Sequence, residues 1–217
     1  MSAGTRKITD IRRGSGPHRR RVTLYLDDET WRTTTISVAR ALGLAVGDDI
    51  VPASVDTDAR ELETAEARER ALRLLGYRER SVADLHRKLT DDGYPIDIVE
   101  SLVADFVRSG LVDDERFADL LARSLVQLRG FGLARARGEF ERHGVDEAVA
   151  SGALARVAPA DEEPGRALEA ARRSLRPSDT IDRMAARLVR RGFSPSVAFS
   201  TARSVIAEAS DDTVEFP

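Results

Sequence analysis

SVADLHRKLTDDGY at residues 81–94, GLARARGEFERHGV at 132–145 and TIDRMAARLVRRGF at 180–193 are three gap-free copies of one pattern, and their reading decides the fold. Each copy ends on a glycine (Gly93, Gly144, Gly192) followed by an apolar residue (Tyr94, Val145, Phe193), and the glycines lie 51 and 48 residues apart. Each begins with a residue acceptable at a helix N-cap: Ser81, Gly132, Thr180. Eight and four positions before the glycine stand Leu85 and Leu89, Ala136 and Phe140, Met184 and Leu188. Residues four apart share one face of a helix, so these pairs predict a buried stripe. The glycine is predicted to end that helix in the left-handed conformation, with the next residue folding back on it. Ile98, Val149 and Val197, and then Phe106, Val157 and Val205, predict the buried face of a following helix. Breaks at Tyr77 to Arg80, Arg129 to Gly132 and Pro177-Ser178 complete units of three helices, about nine helices in all.

Working outward gives three repeats, at residues 59–112, 113–158 and 164–209, with Pro159 to Gly165 as a flexible joint between the second and third. Residues 22–58 differ in kind. Val22 to Leu26 alternates, Asp27-Asp28-Glu29 is turn-like, and Trp31 to Ile36 is rich in threonine, which reads as a β-hairpin. A short helix from Ser37 to Leu44 follows, and Ile50 to Val55 could add a third strand. Residues 1–21 carry seven basic residues against the single acid Asp10 and read as a disordered basic arm. Residues 210–217 read as an acidic tail.

The 217 residues are 41% apolar, 33% charged and 5% aromatic, which suits thin helical layers better than one thick core. The chain contains no cysteine, so disulfides, thiolate metal sites and a cysteine nucleophile are excluded. With no apolar run near the ~20 residues of a membrane span and no signal-peptide core at its start, the chain is expected in the cytoplasm, away from membranes.

Gly110-Leu-Val-Asp-Asp-Glu-Arg-Phe-Ala118, between the first two repeats, resembles the signature of the RecX family. The likeness continues through Leu120 to Leu128, Gly130-Phe-Gly132 and Glu139 to Val145, and is matched upstream by Ala71 to Leu75, Arg80-Ser81, Asp84-Leu85, Leu89 and Gly93. Ala136 stands where a larger residue is common and Phe140 where leucine is usual, a compensating exchange of volume. The resemblance implies a mainly α fold of three tandem three-helix repeats in a curved elongated array, preceded by a small N-terminal β-hairpin region. It also implies a monomeric regulator, mainly an inhibitor, of the RecA recombinase. Such a protein binds the RecA filament on single-stranded DNA, sits in its groove, and modulates ATPase, strand exchange, DNA repair and the SOS response. Direct DNA contact is expected to be weak, and no cofactor or metal is expected.

The chemistry legible in the residues points the same way, to binding and not to catalysis. His18, His86 and His143 have no metal-ligand spacing. Asp113-Asp114 reads as a helix cap, and Gly14-Ser-Gly16 lacks the strand and lysine of a phosphate loop. Arginine recurs in corresponding helices. Arg87 and Lys88, then Arg129, Arg135 and Arg137, then Arg183, Arg187, Arg190 and Arg191 are the candidate partner-binding or nucleic-acid-binding residues, because a guanidinium fork suits phosphate and carboxylate alike. Arg12, Arg13, Arg19, Arg20 and Arg21 are candidate N-terminal DNA contacts. The alternative reading is a sequence-independent, architectural DNA-binding protein built of helix-turn-helix-like units.

Overall fold

A computed structural model describes residues 4–16 and 19–211. It divides into two compact units, Met1–Val112 and Asp113–Pro217.

Unit one opens with strands β1 (Arg6–Arg13), β2 (Arg21–Leu26) and β3 (Glu29–Thr35), then helix α1 (Ile36–Ala41) and the short strand β4 (Asp49–Ile50). The sheet order is β3-β2-β1-β4, with antiparallel pairing throughout. The hairpin predicted at 22–36 is β2-β3. Its two-residue turn, Asp27-Asp28, has φ of 49° and 66°, as a type I′ connection requires, and that twist matches the flanking strands. Two expectations are corrected. Within the segment 1–21, expected as a disordered basic arm, Arg6–Arg13 form β1, an interior strand of the sheet. Only Ile50 of the proposed strand Ile50 to Val55 is a strand residue; Pro52 starts a helix, its fixed φ and missing N–H being harmless in the first turn.

That helix, α2 (Pro52–Tyr77), is shared between two layers. Ala59, Glu63, Ala67, Ala71 and Leu74 form its buried stripe. On this stripe Glu63, fully buried, accepts from Arg32 Nη2 at 2.6 Å and Thr34 Oγ1 at 2.5 Å on β3. One turn nearer the C-terminus, Glu66 accepts from Thr35 Oγ1 at 2.8 Å. The sheet is therefore fastened to α2 by carboxylates. The second half of α2 packs with α3 (Val82–Asp92) and α4 (Ile96–Arg108) around Leu85, Leu89, Tyr94, Val99 and Phe106. Arg80, also buried, donates from Nε to the Leu74 carbonyl at 3.4 Å, near the end of α2.

Unit two holds α5 (Asp114–Arg123), which widens into a π turn at Ser124–Leu128, then α6 (Leu133–Arg142) and α7 (Glu147–Val157). After a 3-10 turn at Ala160–Glu162 come α8 (Glu163–Ser174), α9 (Ile181–Arg190) and α10 (Pro195–Asp211). Repeats two and three each enclose a separate core, the first around Phe117, Ala136, Phe140 and Leu154, the second around Met184, Leu188, Phe193 and Val205. Ala136 and Phe140 share one core, which is how the small-for-large exchange is accommodated. The fold is mainly helical with a small N-terminal sheet, as the sequence predicts. The tail expected at 210–217 begins inside α10, and residues 212–217 lie outside the described residues.

The repeat pattern holds at its ends. Gly93, Gly144 and Gly192 all take positive φ (110°, 65°, 94°). The amides of Tyr94, Val145 and Phe193 reach back to the carbonyls of Leu89, Phe140 and Leu188 at 3.2–3.3 Å. These are the backbone closures of the Schellman type, and each brings a buried side chain over the helix it ends. Ser81 and Thr180 cap α3 and α9, accepting from Asp84 N at 3.0 Å and Arg183 N at 3.4 Å. Val149, Val157 and Val197 are only partly buried; in the helices that carry them, small residues such as Ala150, Ala153, Ala198 and Ala202 take the innermost positions.

Candidate partner-binding surface

Gly132 cannot cap α6 with a side chain, and its role is different. Its amide donates to the Arg191 carbonyl at 2.8 Å, and the Ala134 amide donates to the Gly192 carbonyl at 3.2 Å. The Gly192 carbonyl of repeat three thus supplies the acceptor that a cap side chain would have offered to the Ala134 amide. A Cβ on Gly132 would lie 2.2 Å from the Gly192 carbonyl carbon, and one on Gly192 would lie 2.4 Å from the Arg135 amide. Only paired glycines let these backbones approach, so repeats two and three are locked at one seam. The joint expected to be flexible is tied as well. Arg166 Nη1 holds the Pro159 carbonyl at 2.9 Å, and the Glu163 carboxylate accepts from Ser194 N and Oγ at 2.8 and 2.9 Å.

The locked seam presents arginines. The guanidiniums of Arg135 and Arg129 stand 4.0 and 4.7 Å from the centroid of the Phe131 ring. Cation–π contact holds a guanidinium by its face and leaves its edge donors free for an oxygen partner. Arg191 Nη1 and Arg173 Nη2 lie within 4 Å of the position a Gly130 Cβ would occupy. Arg173 is paired with Glu169 at 3.1 Å. Arg129, Arg135 and Arg191 make no ion pair within 4 Å among the described residues.

The other candidates separate from this cluster. Arg183, Arg187 and Arg190 line a groove along α9 with Asp179 and Asp182. Arg187 is removed from the candidates: its side chain is only 18% exposed and is bound to Asp179 through both terminal nitrogens, a structural clamp. Arg183 donates to the Ser178 carbonyl at 3.0 Å, and Arg190 is exposed. Arg137 is exposed and 3.9 Å from Glu147. In unit one, Lys88 is exposed on α3, while Arg87 is paired with the buried Asp84. Among the N-terminal candidates, Arg12 is stacked on Tyr25 at 4.5 Å and bonded to Asp10 at 2.6 Å. Arg21 donates to the Thr90 carbonyl at 2.7 Å and packs on Gly93, fastening β2 to the end of α3. Arg13 and Arg19 are exposed, and Arg20 lies 3.7 Å from Asp92. Arg12 and Arg21 are therefore engaged in the sheet and its docking.

The sequence reading missed Phe131 as the platform for Arg129 and Arg135. The spacing of the two arginines, one two residues before the ring and one four after, was the available signal. His143 sets its ring edge-on to Phe117 at 5.4 Å, and no cluster suited to a metal occurs among the described residues; His18 lies outside them. No helix among the described residues is long and apolar enough to cross a membrane.

Arg187 holds the Asp179 carboxyl below the usual carboxylate range, chiefly by its hydrogen bond and against the opposing effect of desolvation. A depressed folded-state pKa contributes stability above the unfolded value, about 3.9, and that stability is lost as pH falls through the folded value. Asp179→Asn is therefore expected to be less stable than wild type at neutral pH and to lose less stability on acidification. Thermal melts of both proteins between neutral pH and pH 3 check this; parallel acid limbs would contradict it.

Comparison with known proteins agrees with the geometry. The models of the first and second three-helix domains of RecX match residues 67–106 and 113–154. The regulatory protein RecX of Corynebacterium efficiens is 34% identical over 167 residues, covering 72% of this chain and 79% of its own length. That of Mycolicibacterium vanbaalenii is 35% identical over 168 residues, covering 72% and 90%. A crystal structure of a regulatory protein RecX matches 88% of this chain and 96% of its own, with a TM-score of 0.55 at 25% identity. RecX from Lactobacillus salivarius, at 14% identity and a TM-score of 0.57, shares the fold over 67% of this chain and 97% of its own. With two domain models falling on two of the three-helix repeats and relatives a third identical over most of the length, the chain belongs to the RecX family of regulatory proteins.

Proposed function

We propose that this protein regulates RecA, mainly as an inhibitor, by binding the RecA filament on single-stranded DNA, and that the seam of repeats two and three is a contact surface. One observation carries the assignment of the surface: Arg129 and Arg135 are held on Phe131 at a close backbone junction, with Arg191 beside them, and none of the three is in an ion pair among the described residues. Arginines held in place lose less conformational freedom on binding than free ones and present oriented donors to carboxylates or phosphates. Several such weak contacts on linked helical units add through their high effective concentration. The protein acts in this reading as a binding module without a chemical step of its own.

The test is binding of wild type and of Arg129→Glu/Arg135→Glu to RecA assembled on single-stranded DNA, with helical content checked by circular dichroism. Wild type should bind and the variant should bind at least tenfold more weakly with its helicity intact. Equal binding would remove the seam from the contact surface. Tight binding of both to naked duplex, with steep salt dependence, would favour the architectural DNA-binding reading instead.

A further inference from the structure

Beside the arginines of the seam is a cavity of 260 Å³. Its apolar part is formed by Val126 from the π turn, Phe131, Val157 and Phe193. The volume falls below the roughly 300–1,000 Å³ typical of small-molecule pockets and suits a single inserted side chain. The polar part of the lining is Gln127, Glu162, Arg166, Glu169 and Arg173. Arg173 and Arg166 line the cavity, and Arg166 Nη2 is buried without a hydrogen bond. Arg129, Arg135 and Arg191 approach Gly130 or Phe131, which are themselves lining residues. The carboxylates of Glu162 and Glu169 are already engaged, by Arg166 at 3.5 Å and Arg173 at 3.1 Å.

We propose that this cavity is an anchor pocket for a protein partner: an extended acidic segment inserts one aromatic or leucine-sized side chain onto Val126, Phe131, Val157 and Phe193, and its flanking carboxylates bond Arg129, Arg135 and Arg191. A polynucleotide fits less well. Phe131 is only 8% exposed and carries two guanidiniums against its ring, so it is a poor stacking platform for a base. The inference rests on the reading of the seam as the filament contact, and narrows it to the protein component of the filament.

The test uses the full chain and two fluorescein-labelled peptides, EDEFEDE and EDESEDE, titrated by fluorescence polarisation at near-physiological salt, with oligothymidylate as competitor. Burying the phenylalanine should make the first peptide bind at least about tenfold tighter than the second. Val157→Met, which fills the cavity, should erase that difference, and Arg129→Glu/Arg135→Glu should weaken both peptides. Equal affinity of the two peptides for wild type overturns the anchor pocket, and this comparison decides even where Val157→Met fails to fold. Displacement of the peptide by oligothymidylate at a lower concentration than unlabelled peptide requires also overturns it, in favour of a polynucleotide surface. The two readings fail separately. Loss of filament binding in the arginine variant with equal peptide affinities leaves the filament contact standing without the pocket. A tenfold peptide preference without filament binding leaves the pocket standing without the filament.

Discussion

Gly132→Ala is expected to destabilise unit two by about 3 kcal/mol, although the backbone at this position is one that alanine adopts without strain. Its φ of −75° and ψ of 164° are ordinary extended values, so the cost comes entirely from tertiary contact. The new methyl would lie 2.2 Å from the Gly192 carbonyl carbon and 2.4 Å from the Phe193 amide nitrogen, backbone atoms that cannot turn aside as a long side chain can. Relief requires the seam to open. That breaks the Gly132 N to Arg191 O and Ala134 N to Gly192 O bonds, each worth about 1 kcal/mol net. Gly138 is the internal control. It lies in the same helix, with nothing within 4 Å of its would-be Cβ. Gly138→Ala should stabilise by roughly 0.5–1 kcal/mol through helix propensity. Denaturant unfolding of the two variants should therefore shift in opposite directions. A Gly132→Ala protein as stable as wild type would mean that the seam is not a close backbone junction.

The second large effect concerns unit one. Glu63→Ala is expected to cost about 3 kcal/mol, at the lower end for breaking a buried charge pair. Glu63 is fully buried, and its removal strands the Arg32 guanidinium, 18% exposed, and the Thr34 hydroxyl at the junction of β3 and α2. Arg32 keeps its contact with the half-exposed Asp56 at 2.6 Å, which moderates the loss. A double substitution, Glu63→Leu with Arg32→Met, should recover much of the stability, because removing both charges leaves no unpaired ion. Thermal melts of the single and double variants decide this. A single variant within about 0.5 kcal/mol of wild type, the ordinary range for surface substitutions, would mean that the carboxylate is not the fastening.

These two sites also mark where sequence reading stops. The ends of the repeat helices were legible because capping is local: Ser81, Thr180 and the three terminal glycines act on atoms within a few residues. The stripes of Leu85 and Leu89, Ala136 and Phe140, and Met184 and Leu188 were legible because helical periodicity reports burial directly. By its position in the repeat Gly132 reads as a cap. Its real constraint comes from Gly192, sixty residues away, and no local pattern carries it. Glu63 lies in an acidic stretch and looks solvated, since its partner Arg32 is on a strand 31 residues earlier.

Strand β1 is hidden in the sequence for a different reason. A bulge between Ile8 and Asp10 breaks the period-two alternation, so Ile8 and Ile11 fall out of phase and the arginines dominate the reading. Pro52 is a local signal for the start of α2, which the reading of Ile50 to Val55 as a strand leaves unused. Of the candidate site, the residue type and helices were legible. The sorting of arginines into those that face solvent at the seam and those, like Arg187 and Arg21, that clamp the fold depends on acceptors distant in sequence: Asp179 for one and the Thr90 carbonyl for the other.

The measurement that bears most directly on the central claim is the ATPase rate of RecA on saturating single-stranded DNA, titrated with this protein at near-physiological salt. A regulator of the filament should lower the rate at or below one protein per RecA, with the inhibition unchanged when more DNA is added. An unchanged rate, or inhibition that disappears on adding DNA, would contradict the account and leave competition for DNA or a different partner in its place.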